Sequence, residues 1–489
     1  MIIDANDLSD GDALRSVVCI VGGGPVGIAL ALRLAALEVD TLLLEAGGTE
    51  HEDATEALYR GTGGGYGDLT TTRLQMLGGS TNHWGGQSRP LEPIDFEPQN
   101  WRRGSGWPIA RDDALARLDE AIEFLGLAGN GWDAASWLPD EALLGDGEIV
   151  EKVFQGRPLS AGEFYEEALH DSERVTVVLH ANVTRIRVDP ATGSVSVLEI
   201  RTLDGAQLTA TGEEYVLAAG GIESARLLLA STDDIPAGVG NGADLVGRYF
   251  ADHHIVGPLP LVPGPAAQPM VAPSDAPEVA RASEAGVTIQ RALALSPEAQ
   301  HALELPGFHA FLLESEPPFS DEVFARGVEG LVDLGGAGTG PIRAVVVGFE
   351  QLPNPESRVT LDAEQNAFGE PRARVDWQLT EDDQANMQRA IDLLARFLAR
   401  NGIGRLRIAS TAAEWRQEAF AQHHHMGTLR MGGTPSDGVV DPDLRFHDVA
   451  NLYAVGTAVF PTYGHVNPTL NAVALTLRLA DHLAQEVGA

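Results

Sequence analysis

The chain contains very little cysteine, lysine or positive charge. Cys19 is the only cysteine among its 489 residues, so no disulfide can form within the chain. Lys152 is the only lysine, so Schiff-base or P-loop chemistry would depend on that one side chain. The formal net charge of −37 would repel nucleic acid, which argues against a DNA or RNA partner.

The sequence also lacks a long apolar run. The uncharged stretch at residues 17–32 is broken by glycines and a proline, so it is not expected to span a bilayer. The first residues are acidic where a secretory leader is basic. With 44% hydrophobic residues, the composition is typical of a water-soluble globular protein. We therefore expect a cytoplasmic protein of two or three domains, with no membrane partner and as a monomer or small oligomer.

An apolar run, a glycine cluster and a run of helix formers follow one another near the N terminus. Residues 17–21 are typical of a buried strand, residues 28–37 of a helix, and residues 41–44 of a second strand. This βαβ pattern predicts an α/β fold with a doubly wound parallel sheet. Residues 215–219 and the helix-forming segment after them are expected to return the chain to that sheet.

The middle of the chain has a different pattern. Residues 175–188 and 194–209 alternate in polarity, which predicts antiparallel hairpins. A Pro/Ala/Ser-rich stretch from about 258 to 300 is interpreted as an extended excursion or lid, and a plain exposed loop fits it as well. Further strands are predicted at 344–350 and 358–361, and a helix at 382–400. We expect a dinucleotide-binding domain of residues 1–95, 160–257 and 420–489, and a substrate-binding domain of residues 96–159 and 258–419.

A G-x-G-x-x-G motif directly follows the first predicted strand. Gly22, Gly24 and Gly27 would allow a tight turn, a close backbone approach to a pyrophosphate, and close packing of helix on strand. Glu45 ends the second strand, where a carboxylate can accept hydrogen bonds from ribose hydroxyls. The motif predicts an adenine dinucleotide site, and it leaves the choice between NAD and FAD open.

A second glycine-rich segment occupies residues 73–90. Gly78, Gly79, Gly85 and Gly86 flank a cluster of hydroxyl, amide and ring side chains that includes His83. Such a loop suits close packing against a flat aromatic cofactor, although a buried turn with a core tryptophan would look similar.

Four motifs in this order resemble the glucose-methanol-choline (GMC) oxidoreductase family, whose members are flavoenzymes that oxidise alcohols. They are the first glycine motif with Glu45, the Gly78-Gly79-Ser80 loop, the segment 216–231, and the tail 423–475. Within the family, Asn467-Pro468-Thr469 resembles pyranose oxidases and bacterial glycoside 3-oxidases. The resemblance implies a Rossmann-like FAD-binding domain assembled from discontinuous segments, with an inserted α+β substrate domain on an antiparallel sheet.

The glycine motif and the resemblance together give the candidate cofactor-binding residues. They are Gly22, Gly24, Pro25, Val26, Gly27, Glu45, Ala46, Gly78, Gly79, Ser80, Asn82, His83, Gly85, Val183, Ala219, Gly456, Asn467, Pro468 and Thr469. In pyranose oxidases, the histidine that matches His83 carries the flavin covalently. Because Gly85-Gly86 departs from that pattern, we expect non-covalent FAD, with a covalent link through His83 as the alternative.

Oxidation of an alcohol requires a base for the hydroxyl proton, and imidazole suits that role at neutral pH. His424 stands in the H-x-x-G-T pattern of the family's catalytic histidine, and Asn467 is expected to hold the substrate oxygen. His423 and His425 flank it, but no second cluster with metal-ligand spacing accompanies them, so no metal is predicted. Gln351 and His465 are candidate substrate ligands; a solvated strand end and a pocket wall are the alternatives.

The expected reaction is oxidation of carbon 2 or 3 of a pyranose or glycoside, with oxygen as acceptor and hydrogen peroxide as product. A dehydrogenase that uses a quinone or cytochrome is the alternative, and a non-catalytic flavin-binding or NAD-binding module is a third hypothesis. The sequence does not distinguish the sugar, the ring carbon or the acceptor.

Overall fold

A computed structural model describes residues 1–138, 143–267, 276–313, 344–408 and 419–488. Within them, six parallel strands form one sheet, in the spatial order Ile2–Asp4, Val175–Leu179, Thr41–Leu44, Val18–Val21, Glu214–Leu217 and Leu452–Ala454. Every residue of the two strands Val18–Val21 and Thr41–Leu44 is buried, as a parallel strand covered on both faces requires.

The predicted βαβ unit is confirmed. Helix Pro25–Ala36 joins the strands Val18–Val21 and Thr41–Leu44, and Pro25 occupies its first turn, where a missing N–H costs nothing. The C-terminal helix Thr469–Glu486 packs against this helix, and Arg33 and Asp481 form an ion pair of 2.8 Å between them. The described helices are Pro25–Ala36, Asp53–Glu56, Pro93–Phe96, Arg111–Ala114, Leu118–Phe124, Ala134–Trp137, Ala161–Asp171, Gly220–Ala230, Pro277–Glu284, Pro297–Leu303, Glu381–Arg400 and Thr469–Glu486.

Two smaller sheets and one larger sheet complete the fold of the described residues. A four-stranded sheet contains Ala13–Arg15, Gln207–Thr211, Ser194–Arg201 and Asn182–Asp189, and a hairpin pairs Arg358–Gln365 with Pro371–Asp376. An eight-stranded sheet contains Gly404–Leu406, His254–Pro263, Ala344–Phe349, Phe308–Leu313, Thr288–Leu295, Ile149–Gly156 and Gln87–Ser88, with Phe420–Ala421 paired beside it. The amphipathic helix Glu381–Arg400 buries one face against this sheet, and Thr380 and Asp383 form its capping box.

Two sequence-based expectations are wrong. The segment 175–188 was expected to form antiparallel hairpins, but Val175–Leu179 joins the parallel sheet and only Asn182–Asp189 is antiparallel. The stretch 258–300 is not an excursion or lid, because its strands lie inside the eight-stranded sheet. Their side chains alternate between two buried faces, so the periodicity of a half-exposed strand is missing. Residues 268–275 of this stretch lie outside the described residues, as do residues 314–343.

The eight-stranded sheet reaches slightly beyond the expected substrate-domain segments. Gln87–Ser88 and the start of His254–Pro263 belong to it, although both fall in segments assigned to the dinucleotide domain. The domain boundaries therefore stay a prediction. None of the described helices is both long and apolar enough to cross a membrane.

Candidate active site

The turn after the strand Val18–Val21 gives each motif glycine a separate role. Gly22 has a φ of +111°, and a Cβ there would lie 2.7 Å from the carbonyl of Ala218. A Cβ on Gly27 would lie 2.0 Å from the carbonyl oxygen of Gly22, so only glycine lets the helix pack so closely. A Cβ on Gly24 would meet no atom within 4 Å, so its backbone faces open space. This is the shape that a pyrophosphate needs at a helix N terminus.

Glu45 lies beside this turn, at the end of the next strand. Its carboxylate oxygens accept one backbone N–H each, from Gly23 at 2.7 Å and from Gly47 at 2.9 Å. Burial raises the pKa of Glu45, and these N–H groups act in the opposite direction. Each carboxylate oxygen retains a lone pair that a ribose hydroxyl can use.

The glycine turn opens into a cavity that extends to the histidine segment 423–425. The predicted cofactor residues in its wall are Gly22, Gly24, Pro25, Val26, Glu45, Ala46, Gly79, Ser80, Val183, Ala219, Gly456, Pro468 and Thr469. His424 also lines it. The predicted dinucleotide site and the predicted base therefore share one cavity.

A buried arginine adds hydrogen-bond donors to the cavity wall. Arg73 is 6% exposed, pairs with Glu223 at 3.0 Å, and stacks over the ring of Tyr59 at 4.1 Å. Its Nε and Nη1 have no hydrogen-bond partner among the described residues. Because buried donors are rarely left unpaired, Arg73 suits an anionic ligand group such as phosphate.

The loop after Leu77 contributes its backbone more than its side chains. A Cβ on Gly79 would lie 3.2 Å from Cα of Gly24, so this loop lies against the first glycine turn. Asn82 does not line the cavity, because its amide donates to the carbonyls of Leu77 and Gly79 and accepts from Ser160. Asn82 thus holds the turn itself.

Five other predicted cofactor residues also lie outside the cavity wall, namely Gly27, Gly78, His83, Gly85 and Asn467. Gly78 packs against a neighbouring helix, since a Cβ there would lie 2.5 Å from the backbone nitrogen of Gly162. Gly85 is buried, and His83 is half-buried. Burial lowers the pKa values of His423 and His425.

A buried carboxylate anchors the backbone of His424. Oδ1 of Asp252 accepts the His424 N–H at 2.9 Å, and the hydroxyl of Tyr66 donates to Oδ2. Asp252 is 0% exposed, and burial raises its pKa to about 7 in spite of these bonds. The histidine segment is therefore held by residues far from it in sequence.

A second histidine contacts the ring of His424. Nδ1 of His253 lies 2.9 Å from Nδ1 of His424, and Nε2 of His253 lies 2.8 Å from the carbonyl oxygen of Gly464. Burial lowers the pKa of His253 to about 4 and holds that of His424 well below its ordinary value. Both rings are therefore neutral at pH 7, and a neutral imidazole can accept a proton.

Asn467 directly precedes two residues of the cavity wall. It is 8% exposed, and these two residues, Pro468 and Thr469, begin the C-terminal helix. The loop before it supplies the Gly464 carbonyl that contacts His253. Asn467 itself is not part of the cavity wall, so its contact with the substrate oxygen stays a prediction.

Sequence profiles of two families match the chain. The profile described as FAD dependent oxidoreductase matches residues 18–251, and the profile described as GMC oxidoreductase matches residues 353–476. The first contains the glycine turn with Glu45, and the second contains His424 and Asn467.

The chain is an FAD-dependent oxidoreductase that resembles the GMC oxidoreductase family.

Curated relatives match this oxidoreductase over most of its length. It is 26% identical to 2-methyl-1,2-propanediol dehydrogenase of Mycolicibacterium austroafricanum, over 96% of this chain and 95% of that protein. It is also 26% identical to paromamine 6'-oxidase of Streptomyces fradiae, over 99% and 94%. A C-glycoside 3-oxidase of Arthrobacter globiformis is 32% identical over 27% of this chain and 25% of that protein.

The fold of this oxidoreductase is shared with a solved structure. The crystal structure of pyridoxine 4-oxidase from Mesorbium loti superposes with a TM-score of 0.59 at 20% identity, covering 96% of this chain and 99% of that one. The predicted fold class, a Rossmann-like domain with a second domain on an antiparallel sheet, is confirmed.

FAD is the cofactor of this oxidoreductase, as the resemblance in its sequence implies. The residues of the cavity fit it: the open backbone at Gly24 suits the pyrophosphate, Glu45 suits the ribose, and Arg73 offers unpaired donors. Among the described residues, no group of three or more His, Cys, Asp or Glu side chains is placed to hold a metal ion.

One predicted substrate ligand is wrong. Gln351 is 0% exposed, and its Oε1 accepts from the backbone of Asp252 and from Nε1 of Trp377, while its Nε2 donates to the carbonyl of Gln378. Its amide is thus occupied by the protein and is not a solvated strand end either. Gln351 supports Asp252, which in turn holds His424.

The other predicted substrate ligand does not reach the cavity wall. His465 is 1% exposed, and its carbonyl accepts from Nδ1 of His309 at 2.8 Å. Burial holds the pKa of His465 well below its ordinary value. A substrate contact for His465 stays a prediction.

Sequence reasoning missed three residues that shape the site, namely Asp252, His253 and Arg73. The pair Asp252-His253 precedes a strand with no motif around it, so only the tertiary contacts reveal its position beside His424. Arg73 begins the second glycine-rich segment, and only its unpaired buried donors in the fold mark it as a ligand-binding cation.

Proposed function

We propose that this FAD-dependent oxidoreductase oxidises a secondary hydroxyl, at carbon 2 or 3 of a pyranose sugar or glycoside, to a ketone. The observation that carries the proposal is the position of His424, which lines the cavity that suits FAD and has one ring nitrogen, Nε2, without a hydrogen-bond partner among the described residues. Burial holds the pKa of this imidazole well below its ordinary value. A neutral imidazole with an available nitrogen is a competent general base.

The chain's own residues divide the reaction between them. Nε2 of His424 takes the hydroxyl proton of the substrate, and the amide of Asn467 donates a hydrogen bond to the substrate oxygen and orients it. FAD, when bound, supplies the acceptor for the hydride that leaves the carbon. Asp252 and Tyr66 keep the His424 backbone in place throughout.

The names of the relatives support a polyhydroxylated substrate. Paromamine 6'-oxidase and C-glycoside 3-oxidase are named for different carbons, so their names do not agree on one position of attack. Both are named oxidases, which supports oxygen as acceptor and hydrogen peroxide as product. A dehydrogenase with a quinone or cytochrome acceptor is the second candidate, because another relative of nearly full length is named a dehydrogenase.

The attachment of FAD is proposed to be non-covalent. His83 does not belong to the cavity wall, which supports this proposal over a covalent bond through its ring. Acid precipitation distinguishes the two forms, because a covalent flavin stays yellow in the pellet and a non-covalent one passes into the supernatant.

The function is tested by anaerobic mixing of the yellow holoenzyme with glucose, aryl glycosides, gluconate and a 1,2-diol. Bleaching of the flavin by a sugar or glycoside, followed by recolouring and peroxide formation in air, is the expected result. Bleaching without reoxidation would favour the dehydrogenase. Bleaching by the diol alone would contradict the sugar proposal. His424→Gln is the matched control, and it should stay yellow with every substrate.

A further inference from the structure

A chain of three groups leads from a backbone carbonyl to the proposed base. The carbonyl oxygen of Gly464 lies 2.8 Å from Nε2 of His253, and Nδ1 of His253 lies 2.9 Å from Nδ1 of His424. The two rings meet nearly at right angles, with an interplanar angle of 85° and centroids 5.1 Å apart. Both contacts have the length of ordinary hydrogen bonds.

The first link fixes where the proton of His253 lies. A carbonyl oxygen can only accept, so Nε2 of His253 carries the hydrogen and donates it to Gly464. His253 is 2% exposed and neutral, because burial lowers its pKa to about 4. A neutral ring with a hydrogen on Nε2 has a bare lone pair on Nδ1.

The second link transfers this constraint to His424. Two ring nitrogens at 2.9 Å need one hydrogen between them, and Nδ1 of His253 has none to give. Nδ1–H of His424 therefore donates to His253. His424 then has its lone pair on Nε2, the ring nitrogen that forms no hydrogen bond with a described residue.

We propose that His253 is a positioning residue that fixes the tautomer of His424, so that Nε2 is the atom that receives the substrate proton. This inference rests on the proposed function and adds to it the identity of the basic atom. The hydrogen bond on one ring nitrogen determines which nitrogen carries the proton, and His253 supplies that bond.

Asp252 and His253, which are neighbours in sequence, form hydrogen bonds with the backbone and the ring of His424, respectively. Asp252 accepts the backbone N–H of His424, and His253 accepts its ring Nδ1–H. Once Nε2 has taken the substrate proton, Nδ1–H still donates to the neutral ring of His253. A neutral acceptor orients the charged ring without holding the proton as strongly as a carboxylate would, so His424 can release it in the next half-reaction.

The adjacent His254 provides a matched control. It is equally buried, at 1% exposed, but its ring stacks on Phe349, and neither of its nitrogens hydrogen-bonds a described residue. His254→Leu therefore removes a buried imidazole next to His253 without touching the chain of hydrogen bonds to His424.

Two variants distinguish the effect of losing the hydrogen-bond acceptor of His253 from the effect of losing the volume of its ring. His253→Leu removes the acceptor, and His253→Asn restores one through Oδ1 at the position of Nδ1. We expect kcat of His253→Leu to fall on the order of 10²-fold while KM changes by no more than about threefold, because the bond acts on the base and not on substrate binding. His253→Asn should recover a large part of kcat, and His254→Leu should keep it.

Nitrogen NMR of the holoenzyme labelled with ¹⁵N-histidine reads the tautomer independently of activity. The His424 signals are assigned from their absence in His424→Gln. In the wild type, we expect a protonated Nδ1 and an unprotonated Nε2, and in His253→Leu a population with the proton on Nε2. Retention of the yellow flavin spectrum shows that each variant is folded.

Three results would overturn the inference. They are a proton on Nε2 of His424 in the wild type, an unchanged kcat in folded His253→Leu, and a His253→Asn variant no more active than His253→Leu. Failure of the proposed function looks different, because His424→Gln would then retain activity. Because the wild-type spectrum needs no variant to fold at position 253, the inference stays testable even if His253→Leu does not fold.

Discussion

The two ends of the cavity are built in different ways. At the cofactor end, Gly22, Gly24 and Gly27 act through backbone shape within six consecutive residues, and Glu45 follows on the neighbouring strand. At the catalytic end, the base His424 depends on side chains from remote parts of the chain. One end is a local motif, and the other is a tertiary assembly.

This difference explains what each end tolerates. The structure of the cofactor end is disrupted when an atom is added, because there is no space for a Cβ at Gly22 or Gly27. The catalytic end is disrupted when a hydrogen-bonding atom is removed, because a buried donor or acceptor then loses its partner. Four predictions test this comparison, from the largest expected effect to the smallest.

Removal of the base should have the largest effect. We expect His424→Gln to lower kcat on the order of 10²–10⁴-fold, the range that a general base contributes, with FAD content unchanged. Steady-state turnover and the flavin spectrum of the purified variant measure the two quantities. Activity close to wild type would place the base elsewhere.

Two glycine substitutions at the cofactor end should separate folding from FAD binding. Gly24→Ala should fold normally, because its Cβ meets no protein atom, but it should bind FAD about tenfold or more weakly, since the methyl group occupies the space of the pyrophosphate. Gly27→Ala should lower the free energy of unfolding by about 1–3 kcal/mol or more through its clash with the Gly22 carbonyl. Denaturant unfolding of the apoproteins and FAD titration measure these effects, and equal behaviour of the two variants would contradict the assignment.

Gln351→Met should affect stability more than substrate binding. Loss of the amide leaves the backbone N–H of Asp252 and Nε1 of Trp377 without their acceptor, which should cost about 1–3 kcal/mol of unfolding free energy. KM for the best substrate should stay within about threefold of wild type. A large rise in KM with unchanged stability would restore Gln351 as a substrate ligand.

The smallest expected effect concerns His180, at the edge of the cofactor end, and the pH dependence of the unfolding free energy. Although burial acts to lower it, hydrogen bonds and charges of Asp4 and Glu52 raise the pKa of His180. A raised folded-state pKa gives a stabilisation that is complete below the unfolded value of about 6.5 and is lost as pH rises through the folded value. His180→Gln should remove this part of the slope of unfolding free energy against pH, by about 0.2–1 kcal/mol. Identical slopes in wild type and variant would show that the ion pairs contribute nothing.

Most of the cofactor end could be predicted from the sequence, and much of the catalytic end could not. Gly24 and Glu45 act next to the elements that carry them, so spacing along the chain predicts their position in space. His424 was found through its resemblance to a family motif, but its partner His253 is 171 residues away and belongs to no local pattern. Gln351 shows the converse error, because an amide at the end of a strand resembles a ligand until its partners, Asp252 and Trp377, are known.

The central claim is that His424 removes the substrate proton at a site where FAD binds independently of it. Anaerobic rapid mixing of wild type and His424→Gln with the best substrate of the panel tests it most directly, through the loss of flavin absorbance in a single turnover. We expect both proteins to be equally yellow before mixing, and only the wild type to bleach on the timescale of turnover. Bleaching of His424→Gln at the wild-type rate would contradict the account.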